Sequence, residues 1–461
     1  MRDLMFLAGF LVLVPLAFRN AFVAYLIWGW TGLIAIDNYL FGFMAPVKLN
    51  FIFALITLLM VLLKKDTERG TLTANATVVL LILFFLQGSL SAVFAYDGNQ
   101  LNWDLYDRFW KELVFALLMP LVIVKRYRIH AFVLVMCLGM GFHGLIDGLK
   151  FFSSGGSHLV RGFVKFGDNN HFAVMLVMAV PPLLYMSSYS KIRWLRLAAL
   201  AIAIITIAAV IGTRSRGGFV AMAAVGLWLV LTSRKRLPAL TVFIAGIIFV
   251  VAIAPAEWTD RMETIQEADQ ESSFLTRVEA WQVSSAIALH NPIVGGGFHA
   301  VATQPVWDRF RGQKGLLGFV DVGFESQVFR AAHSIYFEVL GDMGFLGFFI
   351  FIGLLFNALK NGVQISRLAR QGGPELEWAI DLSRSLAATI FAFLVGGLTV
   401  SIAYTEFIYM AVVLMEILKQ EVQRSLSEQR ARREIQAGEL KGEPMGEPTI
   451  APIALAAGAS P

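Results

Sequence analysis

The run AAHSIYFEVLGDMGFLGFFIFIGLLFN, from Ala331 to Asn357, decides how this chain is read. From Phe345 to Phe356 every residue is apolar or glycine. With the turns ahead of it, over 333–357, the segment exceeds the ~20 residues that a helix needs to cross the hydrocarbon of a bilayer. Its polar end carries His333, so a titratable imidazole stands where a long polar loop re-enters an apolar helix. A histidine at that border can exchange a proton with a hydroxyl substrate arriving from water while facing a substrate anchored in lipid.

Similar runs recur near 4–18, 21–43, 48–63, 76–95, 109–124, 129–147, 170–188, 196–213, 217–233, 238–256, 383–403 and 405–418. Of the 461 residues, 57% are hydrophobic and only 15% charged, with a mean hydropathy of +0.67, which excludes a soluble domain with a polar shell. The expected fold is an all-α polytopic membrane protein of about 12–13 transmembrane helices with one long, partly helical periplasmic loop. The run at 4–18 has a single basic residue ahead of it and no small-residue cleavage site, so it reads as a retained helix.

Basic clusters at Lys64/Lys65/Arg69, Lys125/Arg126/Arg128, Lys191/Arg193/Arg196, Arg234/Lys235/Arg236 and Lys360/Arg367/Arg370 fall on alternate loops, which the positive-inside rule makes cytoplasmic. The loops at 96–108, 148–169, 214–216 and 257–332 then lie on the other side, and the tail after Lys419 is cytoplasmic. The chain divides into helices with short loops (1–256), a long loop (257–332), a second helical block (333–420) and a polar tail (421–461) expected to be disordered. The net charge of +5 is thereby explained by topology, with no nucleic-acid footprint. Cys137 is alone within an apolar run, which rules out an intramolecular disulfide.

Chemistry collects on the periplasmic loops. In Gly212-Thr213-Arg214-Ser215-Arg216-Gly217-Gly218 two arginines stand close to the bilayer. A guanidinium presents a planar fork of donors matched to phosphate oxygens; the competing reading is interfacial anchoring by snorkelling side chains. Arg277, in Thr276-Arg277-Val278-Glu279-Ala280-Trp281, offers a second cation or a surface partner for Glu279. Downstream, His290-Asn291-Pro292-Ile293-Val294-Gly295-Gly296-Gly297 reads as the stop of that helix. In Gly167-Asp168-Asn169-Asn170-His171, Asp168 is placed to cap a helix, while Asn169 and Asn170 can bond a sugar or phosphate. Glu338 lies off the helical face of His333 and is no candidate for orienting it. The histidines show no metal-ligand spacing, and Asp97, Asp104 and Asp107 read as solvated surface. There is no glycine-rich phosphate loop, and the spans are nearly free of the internal charge that a transporter would usually show.

Taken in order, Ser215-Arg216-Gly217, Arg277 with Pro292–Gly297, and His333-Ser334 followed by Gly341 and Gly344 resemble the O-antigen ligase and polymerase superfamily of bacterial membrane glycosyltransferases. Gly167–Asn170, Trp258-Thr259-Asp260-Arg261-Met262-Glu263-Thr264-Ile265 and Ala332–Phe337 are similar to O-glycosylation ligases associated with exosortase A systems. The resemblance implies a metal-independent inner-membrane enzyme that takes a glycan from undecaprenyl pyrophosphate and joins it to a hydroxyl of a protein or of lipid A core, with no cofactor and no nucleic acid. It implies that Arg216 and Arg277 hold the pyrophosphate and His333 orients or deprotonates the acceptor, with Arg214, Ser215, Asn169, Asn170 and Ser334 as further substrate contacts. Ligation, polymerisation of lipid-linked units, and glycan transport remain three alternatives at the level of sequence.

Overall fold

The computed structural model describes residues 2–63, 68–162, 167–233, 235–253 and 272–441. The motif Trp258–Ile265, the basic pair Lys64/Lys65, Arg234 and the tail beyond 441 lie outside the described residues, as do 163–166. The described regular structure is entirely helical: α1 (Arg2–Ala17), α2 (Ala21–Leu33), α3 (Leu49–Leu63), α4 (Ala76–Val93), α5 (Gln100–Val122), α6 (Arg126–Ser153), α7 (Asn169–Tyr189), α8 (Arg193–Gly212), α9 (Arg216–Thr232), α10 (Arg236–Ile253), α11 (Ser272–His290), α12 (Gln304–Phe310), α13 (Ile335–Gln371), α14 (Glu377–Gly396) and α15 (Glu406–Lys441), with short 3-10 turns between.

This is a polytopic all-α membrane protein. Six of the helical segments are both long and apolar enough to cross a bilayer, namely α4, α6, α7, α8, α13 and 373–396; five shorter apolar helices, α1, α2, α3, α9 and α10, account for further runs. The runs at 109–124 and 405–418 fall on the longer α5 and α15, apart from residues 123–124 and 405. Two runs end earlier than their apolar composition suggests. The run at 21–43 leaves the helix at Leu33 and continues as 3-10 turns at Ile36–Tyr39 and Gly42–Met44, where Asp37, Asn38 and Gly42 favour turns. The run at 383–403 stops at Gly396, and residues 397–405 form a non-helical segment that returns to the functional end of the bundle.

Helix starts follow local chemistry. Asn20, Asn75, Asn99, Asp168 and Ser215 each accept a backbone N–H of the first turn through the side chain. The centre is α7, buried along nearly its whole length between α6, α8, α9 and α14. It contains Pro181 and Pro182, which remove two rungs of its hydrogen-bond ladder. The carbonyl of Met178, four residues before Pro182, is taken instead by the Thr389 hydroxyl of α14 at 3.0 Å, so the polar group stays satisfied inside the bundle. The buried Glu416 of α15 is likewise surrounded by donors, from Thr77 at 3.1 Å and from Asn361 and Lys419 at 2.7 Å each.

The decisive irregularity is in α13. Gly344, at φ 68° and ψ −170°, breaks the helix and frees the carbonyls before it. The glycine loop after α11 supplies the missing donors: Gly296 N–H reaches Gly341 O at 2.9 Å and Gly297 N–H reaches Asp342 O at 3.0 Å. From α4, Ser91 bonds Asp342 O at 2.6 Å and Gln87 bonds Met343 O at 3.0 Å. Pro292 O receives Phe345 N–H at 2.8 Å. Pro292–Gly297 and Gly341–Gly344 are thus two halves of one clasp.

A Cβ at Gly344 would lie 2.6 Å from Pro292 O, in a backbone region open essentially to glycine alone. Gly344→Ala is expected to destabilise the detergent-solubilised protein by at least about 1–3 kcal/mol, read from its denaturant unfolding midpoint. A midpoint equal to that of the parent would remove the clasp as a constraint on the fold.

Candidate functional site

The site forms where α7, α9, α11 and α13 begin or approach one another at one end of the bundle, with segment 397–405 laid against them. His333 occupies a bend just before α13 with φ +43°, uncommon for any residue but glycine. The bend is clamped on both sides. Trp281 donates its indole N–H to Ala332 O at 2.7 Å, and Ile335 N–H bonds Gly397 O at 2.8 Å. Trp281 also stacks on Phe337, with centroids 5.1 Å apart and planes at 10°. Since Trp281 follows Arg277 by four residues on α11, fixing one places the other on the same face, toward His333.

Burial pushes the His333 imidazole down to about 4, and the nearby Arg277 guanidinium pushes the same way against the weaker pull of Asp168. His333 is therefore uncharged at neutral pH. Its Nδ1 is buried and has no hydrogen-bond partner.

Sequence patterning gave no weight to His171, yet its ring centre lies 6.0 Å from that of His333, with planes inclined by 49°. Asp168 caps α7 through the N–H groups of Asn170 and His171, both at 2.9 Å, and also bonds His171 Nδ1 at 2.5 Å. Burial alone would raise the Asp168 carboxyl; the hydrogen bonds it accepts from the His171 ring and backbone and from Asn170 outweigh it and hold the group well below the usual carboxylate range. His171 Nε2 in turn accepts Ser401 N–H at 3.2 Å. That acceptor role fixes the proton of the ring on Nδ1.

The arginine turn is tied to this frame. Asn169 donates its amide to Thr213 O at 2.8 Å, which secures the turn to α7. Asn170 bonds Asp168 at 3.3 Å and stays within the cap. Arg214 adopts φ +54° and reaches Ser157 O at 3.4 Å. The buried Ser215 spends its hydroxyl on capping α9, accepting Gly218 N–H at 3.1 Å. Arg216 opens α9, and the glycines after it permit close approach: a Cβ at Gly217 would meet Thr399 Oγ1 at 2.2 Å, and one at Gly218 would meet the Ala173 Cβ at 2.5 Å. Ser334 is buried at the start of α13 and makes no side-chain cap. Glu279 turns from the arginine of its own helix to Ser326 N–H at 2.5 Å.

The structure thus brings Arg277, His333, Asp168 and His171 together and fastens the Arg216 turn to them through Asn169, with Gly217 packed close against Thr399. Asn169 and Ser215 serve mainly as framework. Sequence reasoning missed His171, Trp281, Thr399 and Ser401. The last two were hidden in what read as a membrane span; Gly396-Gly397 with Thr399, Ser401 and Thr405 was the available signal. Glu338 turns away, with Oε2 accepting Ala403 N–H at 3.0 Å and Oε1 lying 3.4 Å from His299 Nε2.

A guanidinium beside a neutral imidazole suits a reaction in which a phosphate-type leaving group departs and a hydroxyl attacks. The fold and site therefore define a polytopic helical membrane protein with a cationic, histidine-containing centre at one end of its bundle. Residues 201–352 match the family described as O-antigen ligase, which supports a membrane glycosyltransferase of the ligase or polymerase type. Residues 1–191 match a family of unknown function. No curated protein matches the chain. Arg216, Arg277 and His333 fall within the first match, Asp168 and His171 within the second, and Ser401 beyond both.

If the Arg277 charge helps to depress His333, Arg277→Gln should raise the imidazole titration midpoint from about 4 toward its ordinary value near 6.5. NMR of ring-15N-labelled histidine in micelles checks this. An unmoved midpoint would separate Arg277 from His333.

Proposed function

We propose that the protein transfers a glycan en bloc from undecaprenyl pyrophosphate to an acceptor hydroxyl, on a protein serine or threonine or on lipid A core, at the periplasmic face of the bacterial inner membrane. The observation that carries this reading is the clamped bend that holds a neutral His333 beside Arg277, with the Arg216 turn fastened to the same frame. The acceptor oxygen attacks the anomeric carbon, the bond from that carbon to the pyrophosphate oxygen breaks, and undecaprenyl pyrophosphate leaves with the bonding electrons. Arg216 and Arg277 neutralise charge growing on the leaving oxygens, and His333 takes or shares the acceptor proton. Pyrophosphate is already a good leaving group, so positioning and charge stabilisation are the main contributions the protein has to make. The lipid-linked donor accounts for a site at the end of a transmembrane bundle, and the basic loops at the opposite end support a cytoplasmic C-terminus.

The test is the glycan profile of the host carrying His333→Ala or Arg216→Ala at matched protein level. Transfer is expected to fall at least on the order of a hundredfold, with long glycan stranded on undecaprenyl pyrophosphate. Single repeat units still reaching the final acceptor would assign polymerisation instead. An unchanged profile would remove His333 and Arg216 from the mechanism.

The depressed imidazole also sets a pH dependence. A base held near 4 is active in its neutral form above that value, so kcat/KM should stay level as pH falls from 7 to about 5 and decline near 4. Bound pyrophosphate stabilises the imidazolium, so the midpoint for kcat should lie above that for kcat/KM. Midpoints near 6.5 for both would mean that the buried environment of His333 does not persist in the working enzyme.

A further inference from the structure

Two buried polar atoms border the same ring without a hydrogen-bond partner: Nδ1 of His333 and Oγ of Ser401. Each such atom, if left unpaired, carries a desolvation penalty, and buried groups of this kind in folded proteins nearly always find a partner. Both are held close to His171. Ser401 is tied to it by its own N–H, 3.2 Å from Nε2, and the His333 ring lies 6.0 Å away between centroids. The bond from Ile335 N–H to Gly397 O fastens the start of the Ser401 segment to the residues just after His333.

We propose that Ser401 is a positioning residue for His333: its hydroxyl, after rotation about χ1, accepts the Nδ1–H of His333 and fixes the tautomer whose Nε2 is free to meet the acceptor hydroxyl. The catalytic part of this inference rests on the transfer reaction proposed above. The charged and titratable groups that face His333 are Arg277, His171 and Asp168. None of them can take this proton. A guanidinium has no acceptor. His171 has its Nδ1 proton on Asp168 and its Nε2 on Ser401 N–H, and Asp168 already receives that proton together with two N–H groups of α7. The Ser401 hydroxyl is an unpartnered acceptor on the segment held against His171, the ring that neighbours His333. The four residues then form one chain of hydrogen bonds, from the Asp168 carboxylate through His171 and Ser401 to His333. In it Asp168 and His171 set the Ser401 peptide, and Ser401 sets the ring that works on the substrate.

The experiment compares the full-length protein with Ser401→Ala and Ser401→Thr in lipid vesicles supplied with an undecaprenyl-pyrophosphate glycan and a hydroxyl acceptor. Ring-15N NMR of His333 is recorded on the same samples without substrate. Ser401→Ala is expected to lower kcat on the order of tenfold, the weight of one neutral hydrogen bond, with the donor KM unchanged; Ser401→Thr, which keeps the hydroxyl, restores most of it. The NMR spectrum should show the Nδ1–H tautomer in the parent and a mixture of tautomers in Ser401→Ala. An unaltered tautomer and kcat in Ser401→Ala would overturn the proposal, as would equal losses in both variants accompanied by a raised donor KM. Should the parent show no transfer at all while the tautomer shifts as stated, the reaction would be misassigned and the orienting role of Ser401 would stand.

Discussion

A helix broken inside a bilayer must find donors for the carbonyls it releases, because lipid offers none. In this protein that requirement falls on Gly341, Asp342 and Met343, ahead of the break at Gly344, and it is met by two other parts of the chain. The glycine loop brings in the end of α11, and Ser91 and Gln87 bring in α4. The same loop continues to Phe298, whose N–H is held by Asn102 of α5 at 2.9 Å. One backbone deficiency thus ties four helices together. It also turns the first two turns of α13 into a separate piece whose far end is His333.

That short piece carries its own polar load. Glu338 and Asp342 lie four residues apart and are both buried, a placement that is costly unless each oxygen is paired. Ala403 N–H and His299 serve Glu338, while Ala300 N–H at 3.2 Å and the Tyr404 hydroxyl at 3.0 Å serve Asp342. Burial would lower the His299 imidazole, but the hydrogen bond and charge of Glu338 raise it instead. Three successive attachments, Ser401 to His171, Ala403 to Glu338 and Tyr404 to Asp342, therefore pin the segment between α14 and α15 along one side of the site. The buried acids of α13 shape the site from outside it.

These dependencies explain what the sequence disclosed and what it withheld. The helical bundle is legible because hydropathy over some twenty residues is a local property, and each apolar run contains a described helix, although those at 21–43 and 383–403 outlast theirs. His333 and the arginines are legible because charged groups at the edges of apolar runs are conspicuous. The clasp is not. Pro292–Gly297 read as a helix stop, and Gly341 and Gly344 only as members of a motif after His333; the pairing of distant carbonyls with N–H groups explains the glycines. His171 and Ser401 escaped notice for a related reason. Each acts through a neighbour far away in the chain, and a serine inside an apolar run looks like any tolerated polar residue.

The acidity of His333 bears on how such a site would work. A histidine backed directly by a carboxylate becomes a stronger base and tends to carry a proton. Placed among anionic phosphates it would stay protonated and lose the capacity to accept one. Here the carboxylate is one ring removed: Asp168 is paired with His171, and His333 feels Arg277 more strongly than Asp168. The imidazole enters the encounter neutral, and the negative charge of a bound pyrophosphate would raise its affinity for a proton only after the donor has arrived. Under the proposed transfer, basicity would then appear only once the donor is in place.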